Sequence, residues 1–438
     1  MWSILGISIL LVAALIVHYL LVAQGRIIVG PETYIILMGI STFATTAYAG
    51  WSDGQAGHPY AVFIGMGLLA YMAGIVVFSA LARFRHRADL KAFQERAWVD
   101  DLHGVQFAAF LAIGLVSALV AAAYFFLLGF FVPYDAFQSL LAGGPALMIE
   151  VYNQLRETSS SGGAYLGLGY VSQFKNVLLP LVTVLLYFRQ KVRPSLGHRL
   201  LFLLFLLASV LSLVGRGARF PLANFGALFL IIGTARYMFP YRFTRTQLTT
   251  IAVVFLILLS VLTLMMGARG QRKWSQHPLL WAPFQVVERV SVGPALERYE
   301  VYERFLVHSE PQWGLGIVEE LEHVLPGRIN YTLSNRLHEM LYGNPLGNVS
   351  LDIWGSLWYD FRWWSLGLLF AFGGFSHLFY VRLLRGPKRF IRVVTLSYAG
   401  FILGFATDLQ VLILHGFVTC LIFLAIIWAV RQVRRIRG

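Results

Sequence analysis

One cysteine, Cys420, and a charged fraction of only 13% remove several classes of protein at once. A lone cysteine inside an apolar run permits neither a disulfide framework nor a thiolate metal site, and reads as a small core hydrophobe. No HExxH occurs. His338 and Glu339 are adjacent and His323 lies upstream, so no ligand pair falls at i, i+4 on one helix face. The close Asp/Asn spacing of a calcium loop is missing. So are a GxxxxGK[ST] phosphate loop and, around VGRGARF, the βαβ unit that a dinucleotide fingerprint needs. Acidic residues are scarce as well, 21 against 35 basic ones.

What the chain has is hydrocarbon-like sequence. It is 58% hydrophobic with mean hydropathy +0.68, outside the range of ordinary soluble domains. Apolar runs fall at 3–23, 33–50, 60–82, 105–130, 174–188, 200–214, 220–235, 248–266, 363–381, 393–409 and 411–430. A run of this kind spans a bilayer as a helix because only a helix satisfies its own backbone polar groups there. The expectation is an all-α polytopic integral membrane protein with about 11 transmembrane helices. The first run lacks a positive n-region and a cleavage site, and reads as a retained span rather than a signal peptide. The last two abut around Asp408 and Gln410, as in a tight re-entrant hairpin.

The connectors set the orientation. Alternate ones, from Arg26 to the tail with Arg431, Arg434, Arg435 and Arg437, hold 22 basic and 5 acidic residues; the opposite set holds 13 and 16. The positive-inside rule makes the first set cytoplasmic, with the N-terminus outside and the C-terminus inside. The net charge of +14 is then an orientation signal, and nucleic acid is not an expected partner.

Three regions follow: 1–266, with eight spans and an outer loop at 131–173; 267–362, a polar insert and its re-entry into the membrane; and 363–438, three spans with a basic tail. The outer turn WSDGQAGHPY is short. In the 131–173 loop, 145–158 has apolar residues near helical spacing, and the serines and glycines after it read as a flexible break. VGRGARFPLANFG carries Arg216 and Arg219 on the arginine-poor side. Gly215 and Gly217 let backbone approach a ligand, and Pro221 fits a helix start. Two guanidinium groups there suit a bidentate phosphate or carboxylate; the competing reading is snorkelling to headgroups or pairing with acids of the insert. Arg269 and Arg272, with Lys273, repeat the pattern, as a second anion clamp or as interfacial anchors.

The insert cannot lie in hydrocarbon and is the main candidate for chemistry. ERYEVYERFLVHSE reads as an amphipathic helix burying Tyr299, Tyr302, Phe305 and Leu306. Arg298, Arg304 and His308 fall on the other side, facing a substrate or forming local ion pairs. INYTLSNRLHEMLYG gathers Asn335, Arg336, His338 and Glu339. His338 is the first choice for a general base, since imidazole exchanges a proton near neutrality; His308, His323 and Glu339 are its rivals. GSLWYDFRWW follows, with Trp358, Tyr359 and Asp360 as candidate sugar contacts or part of an interfacial aromatic belt.

GRGARFPLANFGALFLII after a span, GARGQRK after the next outward one, a large penultimate outer loop and GSLWYDFRWWSLGLLFAFGG entering a late helix together resemble the bacterial oligosaccharide repeat-unit polymerases of the O-antigen type. The likeness covers most of the chain in layout and scattered positions in sequence; O-antigen ligases share the architecture. It implies a metal-independent, cofactor-free glycosyltransferase of the C type in the bacterial inner membrane, with a large helical periplasmic loop. The substrate implied is a polyprenyl-diphosphate-linked oligosaccharide, and the partners are membrane lipids, a flippase and a chain-length regulator. The family's arginine motif maps onto Arg216 and Arg219, and a further arginine onto Arg269. Where members have a small residue entering the late helix, this chain has Arg362 and Trp363. Alternatives are a ligase, a lipid-linked glycan flippase or transporter, and an assembly subunit. A transporter is expected to show internal repeats and polar residues at mid-span, whereas no repeat is evident and most charges sit at span ends.

Overall fold

The computed structural model describes residues 2–24, 31–55, 58–99, 104–161, 171, 173–215, 293–322, 333–343, 349 and 351–394. Among them the chain is helical, and the one β feature is an isolated bridge between Val99 and Arg389. Five helical stretches are long and apolar enough to cross a membrane: Ile4–Val22, Pro59–Leu81, Gly104–Leu128, Leu196–Leu213 and Ile353–Arg385. They correspond to the first, third, fourth, sixth and ninth expected spans, and make this an all-α membrane protein. The second expected span is a 22-residue helix that Thr, Ser, Gly and Tyr make less apolar. The seventh, eighth and eleventh, and nearly all of the tenth, lie outside the described residues.

The chain divides into two units, Met1–Val99 with Glu288–Leu424, and Asp100–Val287 with Ala425–Gly438. The first holds α1 (Trp2–Val17, extended by a π-helical turn His18–Val22), α2 (Pro31–Ser52), α3 (Pro59–Leu81) and the short α4 (His86–Glu95). The second holds α5 (Gly104–Leu128), α6 (Val132–Ser161), a π-helical turn Phe174–Leu178, α7 (Leu179–Val192) and α8 (Leu196–Val214). The insert and late span return to the first unit as α9 (Gly293–Val301, with a π-helical turn Tyr302–Leu306), α10 (Leu315–Glu322), α11 (Leu333–Tyr342), α12 (Ile353–Phe361) and α13 (Ser365–Arg385).

In the first unit α3 and α13 pack backbone to backbone. A Cβ at Gly74 would run into the Phe370 carbonyl, and one at Gly373 into the Tyr71 carbonyl. Small residues at a membrane-helix crossing let the two backbones approach and gain van der Waals contact that lipid cannot supply. Gly65 likewise receives Ile7 and Phe43, while Gly39 and Gly67 receive the indole of Trp354 from α12. The outer face of α1 (Leu5, Ile9, Leu10, Val12, Ile16) stays exposed, as a lipid-facing surface requires.

At the basic end of this bundle the connectors cap carbonyls. Arg96 donates to Leu384, Arg385 and Gly386 carbonyls, and Arg392 to those of Leu383, Pro387 and Arg382. Those of Leu383, Leu384 and Arg385 belong to the last turn of α13, where carbonyls run out of helical N–H partners, and cations suit that end of its dipole. Lys388 donates to Gln94 and Arg96 carbonyls and lies over the Trp98 ring. Arg385 binds both carboxylate oxygens of Asp89 at 3.0 and 3.1 Å.

In the second unit α5, α7 and α8 share a core of Ala121, Leu179, Val182, Leu186 and Phe205. The Thr183 hydroxyl is bonded to the Ser209 hydroxyl (2.7 Å) and the Phe205 carbonyl, so a polar lock crosses the apolar contact. α6 breaks at Gly144 (φ 79°, ψ −172°) and folds its halves together through Val132, Ala136 and Tyr152. The expected helix at 145–158 is its second half, which continues through the serines rather than breaking before them.

Candidate functional site

The insert is fixed to the end of the first unit's bundle by buried ionic and aromatic contacts. Tyr299, Tyr302 and Leu306 are buried, as the amphipathic pattern predicts. The π-helical turn keeps Tyr302 and Leu306 on the same inward face. Tyr302 stacks on Tyr60 at the start of α3, ring centres 4.7 Å apart. Between them and the α2–α3 turn lies His58, 1% exposed, its Nε2 2.6 Å from Glu303 Oε1. Its ring is 4.7 Å from that of Tyr299 and 5.1 Å from that of Tyr302. The Tyr299 hydroxyl donates to Asp53 Oδ2 at 2.9 Å, and Gln55 reaches the second Glu303 oxygen at 3.5 Å. Burial, then the Asp53 hydrogen bond, pushes the Tyr299 phenol well above its usual range. Burial and the Glu303 charge push Tyr302 up to about 12, against the opposing pull of Arg362.

Arg298 departs from expectation. It belongs to the polar side by spacing alone, yet it is buried, with its guanidinium 3.1 Å from Asp352 Oδ2. The buried face of α9 is broad, taking in Ala295, Tyr299 and Val301 as well, and a charge on it is tolerable only because a carboxylate meets it. Asp352 also caps α12, accepting from the Gly355 N–H at 2.8 Å. Arg304 and His308 are exposed, as expected.

Arg216, Arg219, Arg269 and Arg272 lie outside the described residues. His338 is half-buried on α11, its ring 4.8 Å from that of Tyr342, and Glu339 beside it is exposed. Arg336 on the same helix binds both oxygens of Glu319 of α10 at 2.7 Å. Trp358, Tyr359 and Asp360 come together but face inward. None is more than 6% exposed. Asp360 accepts from the Gly316 and Ile317 N–H groups at 2.9 and 3.0 Å, so both oxygens are spent on the first turn of α10. Trp358 packs against Phe63 and Trp363, and Tyr359 stacks on Phe305. A sugar needs an open ring face, and among the described residues the exposed indoles are those of Trp51, Trp313, Trp363 and Trp364.

Arg362, where the resembling family has a small residue, adopts φ 52°, ψ −134° between α12 and α13. Glycine reaches that conformation freely; another residue pays about 1–3 kcal/mol. The guanidinium holds it by donating to the Ser309 carbonyl and hydroxyl and to the Trp358 carbonyl, over the Trp358 ring.

In the second unit Lys175, 3% exposed, was hidden inside an apolar span. Its ammonium lies 5.0 Å from the Tyr124 ring centre and 5.7 Å from that of Phe125, and donates to Asn176 Oδ1 at 3.1 Å. Its carbonyl accepts from Ser212 Oγ near the end of α8. Gly215, the next residue before Arg216, packs on the same Phe125 ring so closely that a Cβ would clash. A buried cation therefore stands beside the backbone that leads into the arginine motif.

Lys175 and the His58–Glu303 pair were both missed from sequence. The lysine's only signal is a positive charge at the start of an apolar run, and the pair joins residues 245 apart. Comparison of the chain with family models, with curated proteins and with solved structures returns no match to any of them.

Proposed function

We propose that this chain is a membrane glycosyltransferase that polymerises polyprenyl-diphosphate-linked oligosaccharide repeat units on the periplasmic side of the bacterial inner membrane. The observation that carries the reading is Lys175, a buried lysine at the end of the bundle where α8 runs into Gly215 and the arginine motif. A lipid diphosphate needs cations at that depth; Arg216, Arg219 and Arg272 would bind it, and Lys175 would add its buried positive charge to their field. In the reaction the bond from the sugar's anomeric carbon to the diphosphate oxygen breaks. The negative charge left on the diphosphate is held by these cations. The acceptor hydroxyl forms the new glycosidic bond and gives its proton to a base, a role that the sequence assigns to His338 with Glu339 beside it, Arg269 being the further catalytic candidate. His58 has the hydrogen-bonded carboxylate of a base-orienter pair but is too buried to meet a substrate. Its role is to position the insert.

The test is reconstitution with lipid-linked repeat units alone. A polymerase yields a ladder of products, a ligase without its separate acceptor yields none, and a flippase moves the units without lengthening them. One observation favours the transporter reading: Glu32, which the sequence puts in a connector, is fully buried against His377 of α13. Ionisable groups inside a membrane bundle are common in transporters.

A further inference from the structure

The Glu32–His377 contact is part of a larger polar cluster in the first unit, away from the insert. Glu32, in the first turn of α2, and His377 are both 0% exposed, with His377 Nδ1 3.4 Å from Glu32 Oε1. His18, buried in the π-helical turn after α1, interacts electrostatically with both. Three polar atoms here, His18 Nε2, Glu32 Oε2 and His377 Nε2, are buried without a hydrogen-bond partner. From α3 the Tyr71 hydroxyl meets Ser376 at 2.8 Å, beside His377. A second polar pair lies one turn along α13: His86 Nε2 is 3.1 Å from the Tyr380 hydroxyl, and its Nδ1 3.3 Å from the Ala23 carbonyl. Between the two groups stands the Phe84 ring, 5.0 Å from His377, 6.0 Å from His86 and 6.2 Å from Tyr380. Its far side meets the Arg385 guanidinium at 6.0 Å, where the Asp89 pair marks the basic end.

We propose that Glu32 and His377 form a buried proton-binding site in the membrane-embedded bundle, exchanging protons with its basic end past Phe84.

The charge balance points to a proton. With one proton between them, Glu32 and His377 are neutral as a pair, either as carboxylate and imidazolium or as acid and imidazole. That is the state an apolar interior tolerates. The N-terminus of α2 favours the carboxylate form, so the two forms compete rather than one being fixed. The cluster holds that one proton between a carboxylate and an imidazole. Its donors, one carboxylate and imidazole nitrogens, are too few in oxygen for a hard cation such as sodium. No three His, Cys, Asp or Glu side chains among the described residues converge on a point where a metal could sit. Phe84 touches His377, Tyr380, His86 and Arg385 alike, so it is the ring whose removal tests the path.

The experiment is infrared difference spectroscopy of the full chain in lipid nanodiscs, between pH about 5 and about 8. Exposed glutamates have finished titrating by then, since their pKa is about 4.3. A carboxyl band should change together with an imidazole band, and isotope-labelled glutamate should shift the former. Glu32→Gln should abolish the carboxyl change. His377→Gln should remove part of the imidazole change. After a pH jump Phe84→Ala should reach the new spectrum roughly tenfold faster, equivalent to about 1.4 kcal/mol of barrier. If Glu32→Gln fails to fold, the labelled wild-type spectrum decides alone. The proposal is overturned if labelled glutamate gives no change in that window. It is equally overturned if the change depends on sodium rather than choline at fixed ionic strength, because the site then takes a metal cation.

Discussion

Arg298 and Asp352 carry opposite charges within an apolar contact, each less than a tenth exposed. Removing one member strands the other, which costs about 3–5 kcal/mol. Arg298→Met should lower stability to urea or detergent unfolding by that amount, and the double change with Asp352→Asn, which keeps the α12 cap, should lose clearly less. Arg362 tests a different term. Ala and Gly both forfeit the bonds to Ser309 and Trp358, but only Gly is at ease at φ 52°. Arg362→Gly should therefore be the more stable of the two by about 1 kcal/mol, measured by the same unfolding curves. For Arg216 and Arg219 the prediction is catalytic. Losing a charge-assisted contact of about 1.5–3 kcal/mol slows transfer by roughly 10- to 150-fold. Lysine should rescue poorly, since it lacks the planar fork; near-normal rates in both lysine variants would sink the diphosphate assignment. At this scale the sequence is a partial guide. Spacing along one helix identifies Tyr299, Tyr302 and Leu306 as buried. It cannot see that Arg298 has a carboxylate waiting 54 positions on, or that His58 meets Glu303, because those partners are chosen by tertiary packing.

Elements are more legible, since hydrocarbon thickness fixes how long an apolar run must be. The ends of α3, α5 and α8 fall within a few residues of the expected spans. So does the start of α13, at Ser365 against an expected 363, whereas the strained backbone at Arg362 before it leaves no mark in composition. The α3–α13 contact rests on glycines with no room for a methyl group. Gly74→Ala and Gly373→Ala should each cost about 1–3 kcal/mol, while Gly367→Ala on the open side of α13 should be neutral or slightly stabilising. Equal effects at all three positions would mean that helix propensity, not the crossing, decides. The tie between α4 and α13 is pH-dependent. Burial would raise the Asp89 carboxyl, but Arg385 and the Arg85 N–H outweigh it and hold it below the usual carboxylate range. A depressed carboxylate stabilises the fold above its unfolded pKa, about 3.9, and that contribution disappears as pH falls through the lower folded value. Protease cleavage of the α3–α4 connector should rise over that acid interval, and Asp89→Asn should show the raised cleavage already at neutral pH.

At the scale of the whole molecule, the proposed chemistry on a lipid-linked glycan builds on two features. A polar, aromatic insert is locked to a membrane bundle, and a buried lysine lies over the Phe125 ring on which Gly215 packs. The measurement that tests this most directly is gel analysis of products after the purified chain, in proteoliposomes, is given only polyprenyl-diphosphate-linked repeat units. A polymerase yields a ladder spaced by one repeat unit, lost in the Arg216→Ala protein at matched folded concentration. Repeat units that are never lengthened, whether left in place or merely carried across the bilayer, would contradict the polymerase reading.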